Sequence, residues 1–238
     1  MASQWTTIPV DGQNMWAYMS LPDGAGPHPG VVVIQHGPGL NNFIQDFTRR
    51  LAAEGYAAIA PNMYHRDDPT VQGETFFDKI GRLRDDTVIE DVNATIRHLS
   101  TLPMVRGDRI GITGFCFGGR VAYLMAAVNP VIRASGLFYP WHIMAPWGEG
   151  PSPLDRTPSL KNCQVVGFFG EDDQDPTVEE ARKIDAELTR QGKSHEFHYY
   201  AGAPHGFMAN TNPERYRPGA ARDAWGKLLD TFQKHLCS

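Results

Sequence analysis

Residues 114–119 (GFCFGG) place one cysteine between glycines, which stand two positions before it and two after it. A β-branched run precedes this motif and a helical pattern follows it, so the motif belongs to a strand-to-helix turn. Such a turn lifts one side chain clear of the sheet, and the helix N-terminus favours a thiolate there. The pattern predicts that Cys116 is a nucleophile, and the alternative is a buried cysteine in a tight turn.

A nucleophile on such a turn needs a base and an acid that orients the base, and both residue types follow later strand patterns. Residues 171–175 (EDDQD) come directly after one apolar run, and His205 follows the next predicted strand. We favour Asp173 as the acid over Asp175 and Asp172, because a short loop must return the carboxylate toward the imidazole. The sequence thus predicts a group of Cys116, Asp173 and His205.

Alternating strand and helix patterns position these residues. Apolar or β-branched runs predict strands at residues 6–10, 15–21, 31–36, 57–61, 109–116, 134–140, 164–170 and 196–200. Apolar spacings of three and four predict helices at 41–53, 87–99, 118–128, 177–190 and 221–236. This alternation predicts an α/β fold, a mostly parallel central sheet with helices on both faces. Residues 141–160, rich in Pro, Gly and Trp, fit neither pattern and predict a small cap over a strand end.

Length and composition exclude several classes of protein. A chain of 238 residues predicts one domain, residues 1–238, and the net charge of −5 without a basic run argues against a nucleic-acid partner. No apolar stretch approaches the roughly 18 residues of a membrane helix. The first residues lack the features of a secretory signal, and three cysteines suit reduced thiols, so we expect a cytoplasmic protein. No His/Cys cluster has zinc spacing, so we expect no metal.

The chain resembles the dienelactone hydrolase family of the α/β-hydrolase fold over nearly its whole length. The segments that carry the resemblance are residues 30–41 (GVVVIQHGPGLN), 55–64 (GYAAIAPNMY), 114–119, 170–173 (GEDD) and 205–207 (HGF). The resemblance implies hydrolysis of an ester or lactone through Cys116, Asp173 and His205, without a cofactor. It also implies an oxyanion hole formed by the backbone N–H groups of Gly37 and Phe117.

Two positions depart from the better-known members of that family. His36 stands where those members carry a glutamate near the thiol, and Ala209 stands where they carry an arginine that holds a substrate carboxylate. We therefore expect a thiol that is active at rest and a preference for neutral, partly apolar esters or lactones. The opposing hypothesis is that Arg82 or Arg84 replaces the missing arginine.

The remaining expectations concern the substrate and its alternatives. We expect four side chains to contact or border the substrate, namely His36, Trp141, Trp147 and Met208. A thioesterase or a broad carboxylesterase is the alternative activity, and a catalytically silent binding protein on the same scaffold is the alternative outside enzymes. The expected partner is a small molecule, and the sequence leaves a homodimer open.

Overall fold

One eight-stranded sheet organises the protein, and the computed structural model describes all 238 residues. Its strands are β1 (Ala2–Val10), β2 (Gln13–Leu21), β3 (His28–Ile34), β4 (Ala57–Pro61), β5 (Val105–Phe115), β6 (Ile132–Phe138), β7 (Gln164–Gly170) and β8 (His195–Tyr200). Their spatial order is β1-β2-β4-β3-β5-β6-β7-β8. The strand β2 pairs antiparallel with β1 and β4, and all other neighbours are parallel. The predicted α/β architecture with a mostly parallel sheet is confirmed.

Six α-helices accompany the sheet, and five of them cover its two faces. They are α1 (Asn42–Ala53), α2 (Phe76–Arg82), α3 (Asp85–Ser100), α4 (Phe117–Val128), α5 (Val178–Arg190) and α6 (Pro218–Leu236). Buried residues of α1 and α6 belong to one core cluster, and those of α3, α4 and α5 belong to the other. Within β3, Val32 and Ile34 join one cluster while Val31 and Val33 join the opposite one. Successive strand side chains point to opposite faces, so a strand covered on both faces is apolar throughout.

The helix α2 is an element that the sequence analysis did not predict. It has seven residues, too few for an apolar repeat to stand out. A capping box begins it: the Thr75 side chain accepts the backbone N–H of Asp78, and the Asp78 carboxylate accepts the backbone N–H of Thr75. This local signal, present in the sequence as TFFD, could have located the helix.

The segment 141–160 follows β6. The sequence analysis expected it to be irregular throughout, and the structure shows that it is not. It contains a 3₁₀-helix (Leu154–Ser159), whose short turns leave no apolar periodicity to detect. Its first residue, Trp141, donates its backbone N–H to the carbonyl oxygen of Cys116 at 3.1 Å. The segment therefore begins directly beside the predicted nucleophile. Among the helices, none combines the length and the apolar character that crossing a membrane requires.

Candidate active site

The turn between β5 and α4 carries Cys116 at its apex. Cys116 has a φ of 58° and a ψ of −122°, a strained conformation that costs a non-glycine residue about 1–3 kcal/mol. A Cβ atom on Gly114 would lie 2.1 Å from the carbonyl oxygen of Gly118, and one on Gly118 would lie 2.4 Å from that of Gln35. Both positions need glycine, because the backbone of the turn and the backbone that follows β3 leave no room for a Cβ atom there.

Backbone hydrogen bonds hold the two peptide groups of Cys116. Its N–H donates to the carbonyl oxygen of Phe138 at 3.0 Å, and its carbonyl oxygen accepts from Gly119 at 2.9 Å as well as from Trp141. The helix α4 begins at Phe117, so Cys116 lies at the positive end of a 12-residue helix. The structure thus provides the strand, turn and helix that the sequence predicted around this cysteine.

Asp173 and His205 meet beyond the carboxyl ends of β7 and β8. The Nδ1 atom of His205 lies 2.9 Å from the carboxylate of Asp173, which is almost fully buried. The backbone N–H of Asp175 donates to the same carboxylate at 2.9 Å and fixes it. Asp175 directs its own carboxylate to the indole N–H of Trp141, and Asp172 is exposed. Of the three candidate acids, the structure brings Asp173 to the histidine.

His205 is held in its cationic form. Burial lowers the pKa of His205, but the hydrogen bonds with Asp173 and with Cys116 outweigh it and raise that pKa to about 10. The ring of Tyr139 packs edge-on against the imidazole, with 4.9 Å between ring centroids. At neutral pH, His205 is therefore an imidazolium, and it lies within hydrogen-bond reach of the Cys116 side chain.

Cys116, Asp173 and His205 line one cavity of about 700 Å³, together with Gly37 and Trp141. The parallel strands β5, β7 and β8 all end at this edge of the sheet, which is where α/β sheets bind ligands. Gly37 and Pro38 both line the cavity, and of these two residues only Gly37 has a backbone N–H to donate. Phe117, the other expected oxyanion donor, is fully buried and supplies the first amide of α4.

Two expected substrate contacts lie elsewhere. Trp147 is absent from the cavity wall: its ring packs 6.1 Å from the ring of Phe117 and over the guanidinium of Arg120. Met208 is 4% exposed and packs in the core cluster on the side of α1 and α6. Both residues lie in loops that follow strands, but Trp147 is half-buried against Phe117 and Met208 is buried in the core.

His36 lines the cavity and is uncharged. Burial, together with the neighbouring positive charge of His205, lowers its pKa to about 4, and a hydrogen bond with Asn41 opposes these effects only in part. Its Nε2 atom is buried without a hydrogen-bond partner, and its ring lies 5.4 Å from the ring of Phe43. A neutral imidazole therefore lines the same cavity as the thiol.

The sequence analysis missed three aromatic residues of the cavity wall, Phe76, Phe77 and Tyr139. Phe76 and Phe77 begin α2, and a Cβ on Gly37 would lie 2.6 Å from the ring of Phe76. The short helix thus covers the loop at Gly37 with apolar surface. Tyr139 directly follows β6, so its place at a strand end was a signal that could have found it.

The cationic residues near the cavity are not the ones that the sequence suggested. Arg82 binds the carboxylates of Asp67 and Glu74, and Arg84 donates to the backbone carbonyls of α2 and its end. Neither of these two arginines lines the cavity, whereas the exposed Arg215 does. No group of three or more His, Cys, Asp or Glu side chains is arranged to hold a metal ion.

Known proteins resemble the chain in sequence and in structure. The model of the "Dienelactone hydrolase family" matches residues 15–236. A Synechocystis protein named as a carboxymethylenebutenolidase is 36% identical over 239 residues, covering 97% of this chain and 96% of the relative. A Bradyrhizobium protein named as a 2-oxo-3-(5-oxofuran-2-ylidene)propanoate lactonase is 33% identical, covering 100% and 96%. A crystal structure described as a dienelactone hydrolase from Klebsiella pneumoniae superposes with a TM-score of 0.91 at 32% identity, covering 98% and 99%.

Proposed function

The chain belongs to the dienelactone hydrolase family and is a carboxymethylenebutenolidase-like hydrolase; from that premise we propose that it cleaves ester or lactone bonds through an acyl-cysteine intermediate. The proposal assigns Cys116 as the nucleophile, His205 as the proton carrier and Asp173 as the acid that orients it. The observation that carries the proposal is the 2.9 Å contact between Asp173 and His205, beside Cys116 in one cavity.

In the first half of the reaction, the Cys116 thiolate attacks the substrate carbonyl carbon and forms a carbon–sulfur bond. The carbonyl oxygen becomes an oxyanion, which the backbone N–H groups of Gly37 and Phe117 stabilise. When this intermediate collapses, the bond to the leaving oxygen breaks and the His205 imidazolium donates its proton to that oxygen. The product of this half is a thioester on Cys116. The alcohol of an ester leaves, whereas the hydroxyl formed from a lactone stays on the acyl group.

In the second half, neutral His205 takes a proton from a water molecule as that water attacks the thioester carbonyl. The same two N–H groups hold the second oxyanion. Its collapse breaks the carbon–sulfur bond and releases the carboxylic acid and the thiolate. The imidazolium and thiolate that began the cycle are thereby restored, and Asp173 keeps the ring in one orientation throughout.

We also propose that the thiol is ready to react before substrate binds. The neighbouring His36 is neutral, so no negative charge at that position opposes a thiolate. His205 supplies a positive charge at neutral pH. A carboxylate at position 36 would place a second anion beside the thiolate and would compete for the His205 proton.

The proposed substrates are neutral and partly apolar. Phe76 and Phe77 supply apolar wall, and the position where the family places a carboxylate-binding arginine is occupied by Ala209, which is nearly buried. Two exposed carboxylates, Asp172 and Asp175, border the cavity and repel an anion. Arg215 is the single arginine of the wall, which contains no lysine.

Turnover of a panel of p-nitrophenyl esters tests the proposed function. The wild-type protein is expected to hydrolyse them, and Cys116→Ala is expected to lose essentially all activity because no other side chain can form the acyl intermediate. Cys163→Ser and Cys237→Ser are matched controls that should retain most activity, since Cys163 is buried in the core and burial raises its pKa. Absence of turnover in the wild type would instead indicate a binding protein on this scaffold.

A further inference from the structure

Gly37 carries one of the two proposed oxyanion donors, and it has no side chain that could hold it in place. A glycine backbone rotates more freely than that of other residues, so neighbouring groups must fix the direction of its N–H. The carbonyl oxygen of the same peptide group belongs to His36 and accepts the backbone N–H of Gly39 at 2.9 Å. The next peptide group is held through the carbonyl oxygen of Gly37, which accepts the Tyr64 hydroxyl at 3.0 Å. Tyr64 thus supplies a side-chain hydrogen bond that fixes the glycine.

Tyr64 also contacts Phe117, the residue of the second proposed donor. The two rings pack with 5.8 Å between their centroids and 34° between their planes. The N–H of Phe117 shares a peptide group with the carbonyl of Cys116, which the N–H groups of Gly119 and Trp141 hold. One tyrosine therefore touches both sides of the proposed oxyanion hole, with its hydroxyl on one side and its ring on the other.

Hydrogen bonds after β3 and β4 hold Tyr64 itself. Tyr64 lies three residues after β4, which is the parallel neighbour of β3. The side chain of the buried Gln35, directly after β3, accepts the backbone N–H of Met63 at 3.3 Å. The side chain of Asn62 accepts the backbone N–H of Tyr64 at 3.1 Å. The hydroxyl of Tyr64 is therefore directed at the glycine by the ends of two adjacent strands.

The Tyr64 hydroxyl keeps its proton. Burial, together with the negative charge of a Cys116 thiolate, raises the pKa of Tyr64 well above its ordinary value, and a hydrogen bond with Gln35 opposes these effects only in part. A neutral phenol remains a hydrogen-bond donor at neutral pH. Tyr64 is absent from the cavity wall, so it acts on the reaction only through the residues that it holds.

We propose that Tyr64 is a positioning residue of the oxyanion hole, one that fixes the N–H of Gly37 relative to the N–H of Phe117. It matters when negative charge develops on the substrate oxygen, and it has no part in forming the thiolate. A displacement of about 1 Å in such a group can cost roughly 10²-fold in rate. The inference rests on the proposed function, since it concerns the oxyanion that forms when Cys116 attacks an ester.

Turnover of p-nitrophenyl acetate by Tyr64→Phe is the first part of the test. The substitution removes the hydroxyl and keeps the ring, so kcat/KM should fall by roughly 10–10²-fold, less than the loss of a whole oxyanion donor. Tyr64→Leu also removes the ring that packs on Phe117 and should lower kcat/KM further. Tyr123→Phe is the matched control, because the buried Tyr123 hydroxyl lies 2.6 Å from the Thr157 hydroxyl and away from the cavity. It should retain most of the activity.

Inhibition by a trifluoromethyl ketone reports on the oxyanion hole itself. The Cys116 thiolate adds to the ketone carbon, a carbon–sulfur bond forms, and the carbonyl electron pair moves to the oxygen, which becomes an alkoxide in the position of the oxyanion. The Ki of this ketone should rise in Tyr64→Phe by about the same factor by which kcat/KM falls. The corresponding alcohol cannot accept the thiolate, and it should bind both proteins equally.

Alkylation by iodoacetamide separates the oxyanion hole from the thiol, because the sulfur displaces iodide and no oxyanion forms. In Tyr64→Phe the alkylation rate of Cys116 should stay within about threefold of wild type. Unchanged kcat/KM in Tyr64→Phe would overturn the proposal, as would a fall in kcat/KM with unchanged ketone affinity. Equal losses of alkylation and turnover would also overturn it, because they would show that Tyr64 acts on the thiol. Failure of the proposed function would appear separately, as ester turnover that persists in Cys116→Ala.

Discussion

The chemistry of His205 depends on three neighbouring side chains. Asp173 binds its Nδ1 atom, Cys116 contacts the ring from the cavity, and Tyr139 packs against the edge of the imidazole. The acid also receives the backbone N–H of Asp175, so its position is fixed from two sides. Because the hydrogen bonds with Asp173 and Cys116 raise the pKa of His205 to about 10, the proton remains on His205 above neutral pH.

Substitution of Asp173 tests this arrangement. Asp173→Asn should lower kcat by roughly 10²–10⁴, because the imidazole loses its orienting acid. With an alkyl ester, whose leaving oxygen needs a proton, kcat/KM of the wild type should fall as pH rises through about 10, the pKa of His205. That alkaline limb should lie at lower pH in Asp173→Asn, because removing the carboxylate removes a cause that raises this pKa.

Asp175→Asn is the control for that prediction. Its side chain binds Trp141, whereas its contact with Asp173 is made by the backbone and survives the substitution. It should therefore change kcat much less than Asp173→Asn. The opposite order of effects would show that Asp175 is the acid of the reaction.

Sequence reasoning located individual residues where chain order and strand ends determine position. Cys116, Asp173 and His205 each follow a strand, and parallel strands bring their carboxyl ends to one edge. The sequence could not predict that Trp147 and Met208 pack away from the cavity. Their packing depends on partners that are distant in sequence, such as Arg120 and the residues of α1 and α6. Arg215 was missed because it lies in a loop ten residues after His205 with no local pattern.

At the scale of elements, the strand-to-helix turn has no room for a side chain at its glycines. Gly118→Ala should destabilise the protein by about 1–3 kcal/mol and strongly reduce turnover, because its Cβ would enter the backbone at the end of β3. Gly226→Ala is a matched control on α6, where a Cβ meets nothing within 4 Å. That change should stabilise the protein by about 0.5–1 kcal/mol, since glycine is a poor residue for a helix interior. Urea denaturation and ester turnover, measured on both variants, check these two predictions. A Gly118→Ala protein with the stability and turnover of the wild type would contradict the first.

Long elements were predictable, and short ones were not. All eight strands and five of the six α-helices match predicted segments, because their apolar runs and spacings reflect burial against the sheet. The strand β1 begins at Ala2, earlier than predicted, because its first residues are exposed and carry no burial pattern. The helix α2 and the 3₁₀-helix in 141–160 have too few residues to show a repeat.

At the scale of the whole molecule, residues 1–238 are proposed to act as one domain built on the single sheet, with 141–160 contributing to the cavity wall. Charge around that cavity leads to a prediction about substrates. A neutral ester should be preferred over its carboxylated analogue by at least about tenfold in kcat/KM, or roughly 1.4 kcal/mol. The exposed carboxylates of Asp172 and Asp175 repel the anion, and Arg82 and Arg84 do not reach the cavity.

Arg215→Gln completes that comparison, because Arg215 is the arginine that does line the cavity. The preference of the wild type for the neutral ester should become stronger in this variant, while Arg82→Ala and Arg84→Ala leave it unchanged. A wild-type preference for the carboxylated ester that disappears in Arg215→Gln would contradict the prediction and would show that Arg215 binds the substrate carboxylate.

Detection of the acyl group on Cys116 tests the central claim most directly. After rapid acid quenching of the protein with a slowly hydrolysed ester, intact-mass and peptide analysis should find the mass of one acyl group on the peptide that contains Cys116. In His205→Ala, any acyl group on Cys116 should be lost no faster than in the wild type, because deacylation needs the histidine. Cys163 and Cys237 should stay unmodified. Ester hydrolysis at a normal rate by Cys116→Ala, or an acyl group found on any other residue of an active protein, would contradict the account.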